Sequence, residues 1–195
     1  MDTITNQELN QKTLFYHKDG LLDIFAGCLL LFFAISILTG LFFMAGIWAA
    51  ILAPLWVTAR KTITWRRIPP EDIASQSRTP TFLALAGLAG LALLGVISGI
   101  LIFLSRESLP ALRVWLGAYF ELAFGVGVAL VFTGAAFLLR LGRFAAYALL
   151  AVIVFGIAYL QHISFWVPLA LLGGLVILAG SLTLARFLAR YPELR

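Results

Sequence analysis

Charge is absent from long stretches of this chain. No Asp, Glu, Lys or Arg lies between Asp23 and Arg60, between Arg78 and Arg106, or between Arg143 and Arg186. A membrane span takes about 20 apolar residues, so each run is long enough to cross a bilayer at least once. Composition points the same way, with 62% of residues hydrophobic and 12% charged, against roughly 45–50% and 25% in soluble domains. A soluble globular fold is excluded, and so few residues remain outside the runs that there is no room for a separate soluble catalytic domain. The reading is an all-α, polytopic membrane protein built as a compact helical bundle.

Run lengths set the number of spans. Ile24 to Ala59 is 36 residues, about 54 Å as a single helix, which exceeds the ~30 Å hydrocarbon core and forces a fold-back. Thr39-Gly40 is the best turn, with Pro54 a kink in the second helix. Thr79-Pro80 and Ser108 followed by Pro110 carry the cap and first-turn chemistry of two further helices. The 42-residue run from Phe144 to Ala185 holds two more, separated by Gln161-His162-Ile163-Ser164. Six spans are predicted, over residues 21–38, 41–59, 81–104, 111–139, 144–160 and 165–186. A 20-residue N-terminal segment precedes them, a basic loop covers 60–79, and 191–195 form a short tail.

Lysine and arginine orient the bundle, because cytoplasmic flanks accumulate them. With both termini cytoplasmic, twelve of the 14 basic residues lie inside, and only Arg106 and Arg113 lie outside. The net charge of +5 is therefore explained by topology, and no nucleic-acid module is present. In a bacterium this places the protein in the inner, cytoplasmic membrane. The N-terminus lacks the basic n-region and early apolar core of a secretory signal. Cys28, the only cysteine, allows no intramolecular disulfide and no multi-cysteine metal site.

Few residues are left to carry chemistry. Glu121 lies about 12 Å along the helix from Arg113, at a depth where an ionised carboxylate facing lipid is costly. Gly117, Glu121, Gly125, Ala129 and Thr133 recur every four residues, a stripe that suggests an inward face. Glu121, Thr133, Tyr119, His162 and Asp23 are the candidate ligand or ion residues. A carboxylate at Glu121 that reaches up to water, or pairs with Arg106, Arg113 or His162, is the simpler alternative. Asp19 and Asp23 suit the positive end of the first helix, and Asp23 is placed to pair with Arg140 or Arg143. Arg60, Lys61, Trp65, Arg66 and Arg67 form a basic, aromatic stretch suited to anionic lipid headgroups or a cytosolic partner.

Small-residue pairs suited to close helix contact occur at Gly95/Gly99, Ala86/Gly90, Ala170/Gly174 and Ser181/Ala185. Such faces serve packing within the bundle, a second copy of the chain, or a partner membrane subunit equally well. No H-E-x-x-H, G-x-S-x-G or P-loop occurs, and the two histidines, His17 and His162, fall on opposite sides of the membrane. Neither a metal centre, a cofactor nor catalytic residues are expected. The leading functional expectation is a non-enzymatic component of small-solute or ion transport with a buried carboxylate. A structural or regulatory subunit acting through helix packing and its basic loop is the alternative, and a lipid-modifying enzyme the third.

Overall fold

In the computed structural model, residues 19–41, 44–64, 67, 79–107 and 110–190 are described. They form six helices and, among the described residues, no strand: α1 Leu21–Leu38, α2 Met44–Ile63, α3 Thr79–Glu107, α4 Pro110–Leu139, α5 Gly142–Leu160 and α6 Trp166–Arg190. Four helical stretches are long and apolar enough to cross a membrane: α1, Tyr119–Leu139 of α4, α5, and α6. In α3 the apolar stretch is the shorter Leu85–Ser98. In α2, Pro54 sits inside the helix and Arg60 and Lys61 occupy its last turn, so its polar end extends beyond the residue-59 boundary expected from the sequence.

Local chemistry ends the helices whose following turns are described. After α1, Thr39 donates its backbone N–H to Ile35 O, and Gly40 donates to Ile37 O from a φ of 74°, the left-handed geometry that glycine supplies at a helix end. Two other turns take the same conformation without glycine, at Arg140 and at His162, both with φ 52°.

Each helix runs back along its chain neighbour, and α1 closes against α6, so that the helices form a ring. The most extensive contact is α1 with α6, followed by α4 with α5 and α3 with α4; α2 with α3 and α5 with α6 touch more sparingly. Sequence explains the closeness of α1 and α6. Gly27 and Gly173 face each other so tightly that a Cβ on Gly27 would stand 2.7 Å from Gly173 O, and one on Gly173 would stand 2.9 Å from Gly27 O. One heptad along, a Cβ on Gly180 would stand 2.8 Å from Ile24 N, and Gly20 abuts the Gly180 carbonyl. Seven residues is about two helical turns, so each pair of glycines shares one face. The start of α1 therefore lies beside the end of α6, which puts the first and last helices antiparallel.

The ring is filled with hydrocarbon. Leu30, Val128, Leu172 and Val176 are fully buried, with Phe132 and Phe155 nearly so. Gly125 makes room for Phe155, and Gly95 of α3 receives the Phe33 ring of α1. A Cβ added at Gly174, by contrast, would meet nothing within 4 Å; the close approach on α6 belongs to Gly173 and Gly180 rather than to the expected Ala170/Gly174 pair. Phe32 and Trp48 stack at 4.3 Å between α1 and α2. At the end where α5 meets α6, Phe165 packs edge-on against Phe120 at 4.9 Å and Phe124 at 5.1 Å.

Candidate functional site

The opposite end of the bundle, where α1 and α5 begin and α2 and α6 end, holds most of the buried polarity. Among the described residues the buried polar or charged side chains are Asp19, Asp23, Ser36, Arg60, Thr64 and Ser98. Ser36 and Ser98 donate to carbonyls one turn back on their own helices, those of Phe32 and Leu94. The other four gather at this end.

Gly20 organises the entry to α1. Its φ of 77° and its seat against α6 turn the chain so that the two acidic side chains point into the bundle. Asp19 Oδ1 accepts the Leu21 backbone N–H at 3.2 Å, and Oδ2 accepts the Thr64 hydroxyl at 2.8 Å, tying the start of α1 to the end of α2. Thr64→Val removes that donor from a carboxylate that is 2% exposed. A hydrogen bond to a charged group contributes about 1.5–3 kcal/mol, so the thermal midpoint in detergent should fall for Thr64→Val and stay near wild type for Thr64→Ser.

Asp23 is fully buried, and its Oδ2 lies 3.0 Å from Nε of Arg143 on α5. Of the two arginines suggested by sequence, Arg143 is the partner. Neither Asp23 oxygen accepts a hydrogen bond from the described residues, so the contact is an ion pair without an aligned hydrogen bond. Gly180 gives the side chain its space, since a Cβ there would come within 2.9 Å of Asp23 Cβ. Tyr147, one turn beyond Arg143 and buried, lies within electrostatic reach of both members of the pair. The guanidinium of Arg143 also stands 5.9 Å from the Phe144 ring centroid. Arg60, grouped by sequence with the basic surface, is 3% exposed with its guanidinium 5.0 Å from the centroid of Trp56. Lys61 is exposed and Arg67 half-buried, while Trp65 and Arg66 lie outside the described residues.

No protein-family model matches the chain, and no curated protein or solved structure is significantly similar to it. Its chemistry must be read from its own side chains.

Of the remaining sequence candidates, Glu121, Tyr119 and His162 lie toward the other end, whereas Thr133 lies in the last two turns of α4. Glu121 is half-buried, with His162 of the α5–α6 turn in electrostatic reach. Tyr119 is 50% exposed, and Thr133 is exposed. Pairing of Glu121 with Arg106 or Arg113 rests on side chains outside the described set. Steps of four residues advance about 40° around a helix of 3.6 residues per turn, so the stripe rotates as it climbs. Its middle, Gly125 and Ala129, faces inward and is buried, whereas Thr133 has turned outward. Asp23 therefore does not share a site with Glu121, Tyr119, Thr133 or His162.

Three features of the buried end escape sequence reading: Thr64 as a donor to Asp19, Tyr147 beside the ion pair, and the burial of Arg60. One signal was available, the matched heptad spacing of Gly20/Gly27 and Gly173/Gly180 on the first and last helices. Among the described residues no group of three or more His, Cys, Asp or Glu is placed to hold a metal ion. What the arrangement does chemically is hold opposite charges together out of water, with α1 linked to α2 through Asp19 and to α5 through Asp23.

Proposed function

We propose that the protein is a six-span integral membrane protein, both termini cytoplasmic, that serves as a structural or regulatory subunit through helix packing and its basic cytoplasmic segment. The carrying observation is the apolar interior. Two spaces among the described residues, a cleft between α1, α2 and α3 and a smaller gap between α1, α3, α4 and α5, are lined by apolar residues alone. Conduction of an ion or a polar solute needs polar groups along its path, and neither of these two spaces offers them to the transport reading. The buried charges are paired or tied at one end, an arrangement suited to fixing the register of helices.

The distribution of basic residues supports the orientation. Lys61, Arg140, Arg143, Arg186 and Arg190 all fall at helix ends on the side where α1 begins, and a positive flank of this kind faces the cytoplasm. A reporter fused after Arg195 is expected to be active only in the cytoplasm, and one in the 161–164 turn only outside. The reverse pattern would overturn the orientation. Mild-detergent purification followed by intact-complex mass spectrometry tests the role. A second membrane protein or a second copy at fixed stoichiometry is expected, and a defined polar solute retained by the isolated chain would overturn the subunit reading in favour of transport.

A further inference from the structure

At the end where α1 begins, the fold uses some of its arginines and leaves others over. Arg143 meets Asp23, and Arg60 lies over the Trp56 ring. Arg140, Arg186 and Arg190 are different: each is exposed, and none makes an ion pair or side-chain hydrogen bond with a described residue. The described carboxylates at this end, Asp19 and Asp23, are buried and already engaged, Asp19 by Leu21 and Thr64 and Asp23 by Arg143. Three guanidinium groups therefore present their charge outward with no acid of the described bundle to offset it, a field that draws anions.

Asp23 shows how the elements carrying them converge. It stands 3.0 Å from Arg143 of α5, and a Cβ on Gly180 of α6 would come within 2.9 Å of its Cβ, so the start of α5 and the end of α6 meet across one side chain. From that level Arg186 is six residues on, about 9 Å toward the same surface. Arg140 precedes Arg143 in the two-residue connection between α4 and α5, whose other member, Leu141, is buried.

Depth decides which anion this surface meets. Counted from Trp166, Arg186 lies about 30 Å along α6 and Arg190 about 36 Å, the thickness of the hydrocarbon core and then part of its headgroup layer. Neither α6 nor the short α4–α5 turn carries these arginines far beyond the lipid surface. Arg186 also ends a lipid-facing ladder, since Leu171, Leu175, Leu178 and Leu182 lead to it at helical spacing and are all exposed. A phosphate attached to hydrocarbon matches both the cations and the leucines above them.

We propose that Arg140, Arg186 and Arg190 bind the phosphate of an anionic phospholipid whose acyl chain lies along the exposed leucines of α6. This rests on membrane embedding and on neither the subunit role nor the orientation, because vesicles carry the lipid in both leaflets and no protein partner is needed to hold it.

The full-length protein, reconstituted in phosphatidylcholine vesicles with a trace of phosphatidylglycerol or phosphatidylcholine carrying a photoactivatable acyl chain, provides the test. Crosslinks mapped by mass spectrometry are expected in residues 171–185, more from the phosphatidylglycerol probe than from the other. Arg186→Gln should cut that preference about fivefold, the factor carried by the ~1 kcal/mol that one basic side chain contributes at an anionic surface, and Arg186→Lys should keep most of it. Lys61→Gln removes a charge from α2 at the same end and should leave it unchanged. Thermal midpoints in detergent check that the variants fold; if Arg186→Gln does not, Arg190→Gln carries the same expectation. Equal labelling by the two probes in the wild type would overturn the proposal. Equal losses in Arg186→Gln and Lys61→Gln would do the same, as the mark of a diffuse surface potential. So would displacement of the probe by inorganic phosphate alone, or by an acidic protein that co-purifies only while Arg186 is present.

Discussion

Gly173→Leu is expected to lower the stability of the bundle by about 3 kcal/mol, at the upper end of the range for overpacking, and Gly27→Leu by a similar amount. Around 6–12 °C of thermal midpoint corresponds to such a loss in a chain of this length, measurable in detergent by tryptophan fluorescence. The size of the effect follows from what the new atoms meet. At Gly173 the nearest neighbours of an added Cβ are Gly27 O at 2.9 Å and Leu31 N at 3.0 Å, backbone atoms that cannot rotate away as a side-chain tip would. The helices would have to separate, and α1–α6 is the most extensive contact in the fold. In lipid that loss is not offset by a hydrophobic drive to reassociate, because helix association there depends on close packing and on polar contacts. Gly174→Ala is the control: nothing lies within 4 Å of the added Cβ, so it should leave the midpoint unchanged or raise it slightly through helix propensity. Equal losses at 173 and 174 would show that the contact is not what stabilises the ring.

The contrast between those neighbouring glycines shows which parts of the architecture a linear reading reaches. The break between α1 and α2 is legible because an uncharged run of 36 residues must turn, and Gly40 offers the φ of 74° that a helix end needs. Helical character is legible from hydrophobic length alone. Which face of a helix meets which partner is not, because leucine, alanine and glycine occupy both lipid-facing and protein-facing positions, and lipid is as apolar as the core. Small-residue spacing therefore points as readily to Gly174 as to Gly173. The matched heptads on α1 and α6 separate the two, but only once those helices are known to be neighbours.

Charge was legible in the opposite sense. Arg60 and Arg143 have the sequence signature of cytoplasmic flanks, and topology alone accounts for them. Whether a flanking arginine faces headgroups or turns inward depends on what the bundle presents at that height. Trp56 presents a ring to Arg60, and Asp23 a carboxylate to Arg143. Glu121 stood out because it is isolated in an apolar run, yet isolation along the chain is not isolation in space: the α5–α6 turn brings His162 toward it. Asp23, assigned by its position to the helix dipole, is the more deeply buried carboxylate.

That burial makes Asp23 and Arg143 the second site of large expected effects, and the two partners should not be equivalent. Removing one member of a buried pair costs about 3–5 kcal/mol, since the other is left uncompensated. Arg143→Met strands a carboxylate at 0% exposure, whereas Asp23→Leu leaves a guanidinium that is 21% exposed and can extend toward the headgroups. Arg143→Met is accordingly expected near the upper end of that range and Asp23→Leu near the lower. The double variant removes both charges and fills the space with apolar atoms, an exchange that is often neutral or stabilising by about 1–4 kcal/mol. It should therefore recover most or all of the loss, giving a coupling energy of several kcal/mol in a double-mutant cycle. A double variant as unstable as the sum of the singles would mean that the two side chains act separately and that the 3.0 Å contact contributes nothing as a pair. A double variant that regains stability but no longer retains a partner subunit would show that the pair is kept for the shape it imposes on α1 and α5, not for the free energy it adds. Neither Asp23 oxygen accepts a hydrogen bond from the described residues, which favours that outcome, because an ion pair selected for stability alone would satisfy both oxygens.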